Sequence, residues 1–363
     1  MLISIDCFKD VEIRSIISSG QKRGTCDITK KNDVLVYDTN AEEDGGILSA
    51  YLSEVLDVYT PESELPKDFP KDNLAYIEEI LERDWSIFNL KCEEIKRVVV
   101  EICSSIYPLD SMIYKERVGI EKLCDSDFLK NNCIMKEFVW EQFKSSIKNI
   151  NRFHSNHINL RILEELFDSP SLQRVIPKGE AGYYRARISD GEIIKNSEMG
   201  PPPHEKATAG RANSQGISCL YLASDIITTM HEIRARDLDY VSVAEFVSKK
   251  DLKIVDLANL DKISPFSVGK FDCEWFAINM KILKKINSEL AKPLRRQDSV
   301  LDYLPAQYIA DFIKSLGYDG ICYRSTLNVE GINYAIFDYK KFRCKDVKLY
   351  HIASLKYNTV PSI

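Results

Sequence analysis

The apolar positions of this chain change period partway along it. Between residues 72 and 167 they recur at spacings of three and four, the signature of amphipathic helices. This predicts helices over LAYIEEILERDW (74–85, capped from Asp72-Asn73), LKCEEIKRVVVEICSSI (90–106), FLKNNCIMKEFVWEQFKSSIKNI (128–150) and INLRILEELF (158–167). Phe138, Trp140 and Phe143 on the longest of them are expected in a core. Ahead of the helices, DVLVYD (33–38) alternates as a strand does and EEDGG (42–46) reads as a turn. Three prolines in TPESELPKDFPKD (60–72) mark a linker or a packed irregular loop. SPSLQRVIPKGEAG (169–182) then interrupts the helical pattern. Beyond it come short β-branched and aromatic runs: YYRARI, ISCLYLAS, YVSVAEFV, LKIVDL, DGICYR and NYAIFDY, with helices between them at about 225–236, 274–290 and 302–316.

The pattern predicts an α+β protein, a mostly helical N-terminal domain followed by a mixed α+β domain. The expected divisions are a small segment at 1–55, a helical domain at 56–170, a catalytic domain at 171–345 and a tail at 346–363. Composition supports a folded, multi-domain chain: 363 residues, 44% hydrophobic and 29% charged. A net charge of −6 argues against nucleic acid as a partner, since duplex binding needs a broad basic face. No apolar run reaches the ~18 residues that span a bilayer. The ten cysteines are scattered and form no CxxC, as in a reduced, cytoplasmic protein. Cys7 and Cys26 each stand alone, so a four-ligand zinc site is incomplete and no metal is expected.

Candidate chemistry concentrates in 182–234 and near 323–333. Arg185 and Arg187 alternate onto one face of a strand with Tyr183, where a diphosphate would relieve their repulsion. An exposed, ion-paired strand face would look the same. GRAN supplies Gly210, which lets a ligand approach the backbone, together with Arg211 and Asn213. Tyr221 could stack on a flat ring. Ser224 or Asp225 caps a helix that places Thr228 and Glu232 on one face. Ser325 ends a later strand and Asn333 opens the next. No GxSxG elbow surrounds a serine, and neither a Walker loop nor GxGxxG is present. Arg152 and His157, five apart between two predicted helices, have the spacing of a ribonuclease motif found in HEPN helical domains.

Taken in order, YRAR, PPP…AGRAN…GIS.LYLASD…T…E.R, YLPAQYIADFI…YDGI.YRS and N.AIF resemble the RES domain, from about residue 182 to 337. The helical half is similar to the HEPN-type extension of longer RES proteins. The resemblance implies an ADP-ribosyltransferase-like fold and an enzyme that consumes NAD. It implies catalytic roles for Arg185, Glu232 and Ser325. Arg187, Gly210, Arg211, Asn213, Tyr221 and Asn333 would bind substrate. The implied reaction cleaves the nicotinamide–ribose bond, with inorganic phosphate as co-substrate and no permanently bound cofactor. The implied role is that of a bacterial toxin or defence effector, opposed by a cognate antitoxin or regulatory protein. Self-association stays open. So do three other functions: a protein ADP-ribosyltransferase, a ribonuclease built on Arg152 and His157, and a nucleotide-binding regulatory module.

Overall fold

The structure, a computed structural model, describes residues 1–41, 46–136, 139–267, 271–292 and 299–355. Phe138 and most of the expected turn at 42–46 therefore lie outside the described residues. The chain divides into two compact units, 1–138 with 261–284, and 139–260 with 285–363.

In the first unit, β1 (Leu2–Ser4), α1 (Val11–Ser19), β2 (Arg23–Gly24) and β3 (Val34–Asp38) form a small antiparallel sheet of order β1-β3-β2 with its helix. Asp10 caps α1 by accepting from the Glu12 and Ile13 amides. There follow α2 (Ile47–Leu56), β4 (Thr60–Pro61), α3 (Ile77–Arg83), α4 (Cys92–Cys103), β5 (Val118–Gly119), which pairs with β4, and α5 (Ser126–Asn132). Two predicted elements change. Asp72 and Asn73 sit in a 3-10 turn, and α3 starts later, with Tyr76 at its N-cap. The single helix expected over 128–150 is broken. Asn131 and Asn132 bond back to the Asp127 and Phe128 carbonyls, the competition that weakens helices at such residues. The buried Asn279 then clasps the exit strand, accepting from the Ile134 amide at 2.8 Å and donating to the Asn132 carbonyl at 2.9 Å. A distant side chain thus outbids the local helical periodicity.

The second unit opens with α6 (Trp140–Asn149) and α7 (Leu160–Phe167). Arg152 and His157 lie in the irregular segment between them. Then come β6 (Gln173–Ile176), β7 (Tyr183–Ser189), β8 (Leu220–Ala223), α8 (Ile226–Glu232), β9 (Tyr240–Ser248) and β10 (Leu252–Asp256). Helix α9 (Cys273–Ala291) begins among residues of the first unit and ends among those of the second. The chain continues with α10 (Leu304–Ser315), β11 (Gly320–Arg324), β12 (Ile332–Ile336) and β13 (Phe342–His351).

These strands make one eight-stranded mixed sheet, β13-β9-β7-β8-β12-β11-β10-β6, antiparallel except for β10 beside β11. Both outermost strands, β6 and β13, went unpredicted. β6 sits within a Pro/Gly-rich stretch, and β13 alternates weakly, with Arg, Lys and Asp facing out as edge strands tolerate. One sheet face buries Tyr183, Leu222, Phe246, Ile254 and Tyr334. The other carries Ala186, Val241 and Val243, against which Ile226, Met230 and Ile233 of α8 pack. Phe143 meets the edge of Tyr308, and Phe167 packs on Phe312, tying α6 and α7 to α10.

Candidate active site

β7 and β8 pair through only one residue pair, Tyr184 with Ala223. A cavity of about 280 Å³ opens over this junction. Arg185, Arg211, Tyr221, Glu232, Tyr323 and Asn333 are among its lining side chains.

The cationic wall comes from β7 and the GRAN loop. Arg185 donates through one Nη to the Tyr221 carbonyl at 3.1 Å, while its buried Nε has no partner. Burial, and then the charge of Arg187, push this guanidinium below its ordinary value. Arg211 is 8% exposed. It donates to the Lys292 carbonyl at 3.1 Å and lies 4.9 Å from the centre of the Tyr323 ring, a cation–π placement. Its Nε is likewise buried without a partner. Neither arginine forms a salt bridge among the described residues. Two guanidiniums whose buried Nε donors are unmatched are costly unless a ligand supplies the anion.

The loop that carries Arg211 is held by its own side chains. Tyr221 Oη accepts from the Ala212 amide at 2.9 Å and donates to Asn213 Oδ1 at 2.6 Å. Asn213 Nδ2 reaches the carbonyls of Thr208, Ser214 and Ile217. Gln307 of α10 donates to the Gly210 and Asn213 carbonyls at 2.7 and 2.9 Å. Gly210 must lack a side chain here, because a Cβ would come within 2.6 Å of both Asn213 Oδ1 and Tyr221 Oη. Asn213 therefore shapes the loop and does not line the cavity. Arg187, on the same strand face as Arg185, is exposed and bonds to the Glu198 carbonyl at 2.6 Å, outside the cavity lining.

The anionic wall comes from α8. Asp225 caps it, accepting from the Thr228 amide at 2.7 Å. The helix ends at Glu232 because the chain turns left-handed at Arg234 (φ 53°), with the Arg234 and Ala235 amides returning to the His231 and Met230 carbonyls. Among the described residues, Glu232 is the one acidic residue lining the cavity. Its Oε1 accepts from Ser325 Oγ at 2.8 Å and from Asn333 Nδ2 at 2.6 Å. Ser325 Oγ in turn accepts from the Leu327 and Asn328 amides at 3.2 and 3.3 Å, which leaves its proton for Glu232. Ser325 and Asn333 are 5% and 4% exposed, so this carboxylate is gripped from behind by buried donors. Asn328 Nδ2 also reaches Thr228 Oγ1 at 2.7 Å, locking the 325–331 loop to the first turn of α8. Burial pushes two of the lining tyrosine hydroxyls up, Tyr323 to about 12 and Tyr221 well above its usual range.

The fold thus gathers Arg185, Arg211, Tyr221, Glu232, Ser325 and Asn333 from three strands, two loops and one helix, although up to 148 positions separate them. Sequence reasoning passed over Tyr303 and Tyr323, which line the cavity, and Gln307, which braces the loop. Gln307 left a readable trace, because it is a lone amide between Ala306 and Ala310 on the buried stripe of α10.

Residues 183–358 match the family model for the RES domain. Among solved structures, the crystal structure of the M. tuberculosis MbcT–MbcA toxin–antitoxin complex matches at 12% identity, covering 49% of this chain and 88% of that chain, with a TM-score of 0.29. No curated protein matches. No described helix is long and apolar enough to cross a membrane.

Proposed function

We propose that this protein is an NAD-consuming enzyme that cleaves the nicotinamide–ribose bond and passes the ADP-ribosyl group to inorganic phosphate. The observation that carries this reading is one cavity with an unpaired guanidinium pair on one wall and a braced carboxylate on the other. Arg185 and Arg211 hold the diphosphate or the incoming phosphate, since guanidinium forks match phosphate oxygens. As the C–N bond breaks, its electron pair leaves with nicotinamide, which departs neutral and needs no general acid. Positive charge grows on the ribose ring, as in other glycosyl transfers. Glu232, fixed by Ser325 and Asn333, stabilises that charge without having to reorganise. Tyr221 presents its ring to the nicotinamide while its hydroxyl remains tied to the loop. A phosphate oxygen, already anionic at neutral pH, forms the new bond to the ribose carbon and gives ADP-ribose-1″-phosphate. On the family resemblance, the biological role is that of a toxin or defence effector held by an antitoxin.

The test is incubation of the full chain with NAD, with and without phosphate, following nicotinamide and the ribosyl product. ADP-ribose-1″-phosphate formed only with phosphate supports the reading. ADP-ribose formed equally in both replaces phosphorolysis with hydrolysis, and labelled protein replaces it with protein modification. No nicotinamide under any condition overturns it.

A further inference from the structure

The first unit holds a second grouping of reactive side chains, independent of the cavity. Cys7, in the 3-10 turn after β1, and Cys26, in the turn after β2, stand 3.8 Å apart, Sγ to Sγ. Both are free thiols and both are fully buried. Cys26 Sγ accepts amide hydrogens from Ser4 at 3.2 Å and Thr29 at 3.3 Å. That donor set suits an anionic sulfur. Ser4 Oγ lies 3.5 Å from Cys7 Sγ. Burial pushes Cys7 up. Burial also acts against ionisation of Cys26, but the hydrogen bonds from Ser4 and Thr29 outweigh it and bring that thiol down. One sulfur is thus poised to attack and its neighbour to close the bond. Among the described residues no group of three or more His, Cys, Asp or Glu surrounds them as a metal would require.

We propose that Cys7 and Cys26 are a reversible disulfide site, with a peroxide as oxidant and a small thiol as reductant. The Cys26 thiolate attacks a peroxide oxygen, breaking the O–O bond and releasing hydroxide, which leaves Cys26 as a sulfenic acid. Cys7 sulfur then displaces the sulfenic oxygen as water, its own proton leaving with that oxygen. The net change is two thiols and one peroxide to one disulfide and two waters. A thiol reverses it by exchange through a mixed disulfide, ending as its own disulfide. The sulfurs must close to roughly 2 Å, a shift within reach of side-chain rotation and a small turn adjustment. The covering turn is thin, since its Thr25, Lys30 and Lys31 are exposed, and β2 is a two-residue edge strand that opens at little cost. The bond would tie the β1 side of the small sheet to its β2 side.

The experiment treats the full chain with hydrogen peroxide, quenches, alkylates under denaturing conditions and maps the peptides. The expected result is a Cys7–Cys26 cross-link, two hydrogens lighter, that a small thiol reverses. Thermal unfolding of the oxidised wild type should shift up by about 5 °C. Cys7→Ser and Cys26→Ser should each lose both the cross-link and the shift. If either variant fails to fold, the wild-type peptide map alone decides. Both cysteines fully alkylated after oxidation, a cross-link that avoids them, or a stoichiometric metal released only by chelation would each overturn the proposal.

Discussion

The two walls of the cavity are built on opposite terms. On the α8 side, Glu232 Oε1 already receives two hydrogen bonds from buried donors, and one of those donors is itself held by two amides. On the β7 side, each arginine bonds to a single carbonyl, Arg211 also lying over the Tyr323 ring, and both keep a buried Nε with nothing to bond. The first wall is complete without a ligand and the second is not. A site that must stabilise developing positive charge needs its anion held still beforehand, because reorganising it would consume the gain. A site that must capture an anion needs donors left unspent until the anion arrives.

The sharpest way to break this comparison is Glu232→Gln. The amide keeps the shape, and its Oε1 can still accept from Ser325 and Asn333. NAD turnover should fall by about 10³-fold or more with the melting temperature nearly unchanged. Full activity would remove the carboxylate wall from the chemistry. Next, Arg185→Met and Arg211→Met should each raise KM for NAD by about 10- to 100-fold, the worth of a charged hydrogen bond to phosphate. Stability should fall by at most about 1 kcal/mol, because a cation without a salt bridge, its buried Nε unmatched, is removed along with its carbonyl bond. A loss of several kcal/mol would mean that the arginines are structural. Ser325→Ala and Asn333→Ala leave the charge but loosen it. They should lower kcat by about 10-fold with little change in KM, the split that separates a positioning residue from a substrate ligand. If KM rises instead, Ser325 touches substrate directly. Gly331→Ala tests the clasp between the 325–331 loop and α8. An added Cβ overlaps Thr228 Oγ1, so about 1–3 kcal/mol of stability should be lost by chemical denaturation.

The smallest effect is the pH dependence of the α8 cap. Burial alone would raise Asp225, but hydrogen bonds from Thr228 and Ser224 outweigh it and hold the carboxyl below its usual range. A carboxyl lowered in the folded state stabilises it above the unfolded value and loses that contribution as pH falls through the folded one. Asp225→Asn should therefore be less stable than wild type at neutral pH. The gap should narrow in acid below the ordinary carboxylate range, as followed by thermal unfolding at a series of pH values. A gap that stays constant would assign the effect to the cap's geometry alone.

Much of the scaffold was legible from periodicity. The strand at 34–38, the inner strands of the large sheet, the Asp225 cap and the helix stop at Gly317 (φ 89°) follow from local chemistry that neighbouring residues complete among themselves. What failed were elements whose fate is set from afar. Asn279 breaks the helix predicted over 128–150 by bonding to backbone some 145 residues away. β6 and β13 exist because a sheet edge was there to receive them.

The site divides in the same way. Sequence alone determined which residue types were on offer: guanidiniums on a strand and a glycine loop, a carboxylate on a short capped helix, a serine and an asparagine flanking a hairpin. It could not say which of Arg185 and Arg187 faces the cavity, because alternation places both on one strand face. The exposed end of β7 gave Arg187 a carbonyl partner outside the cavity and left Arg185 over the junction with β8. Nor could it say that Asn213 and Tyr221 spend their polar groups on each other, or that Ser325 bonds to Glu232 across 93 positions. Hydrogen bonds reach about 3 Å and depend on direction. Only the folded sheet, which brings β7, β8, β11 and β12 to one cavity, could decide which groups were paired and which were left open for a ligand.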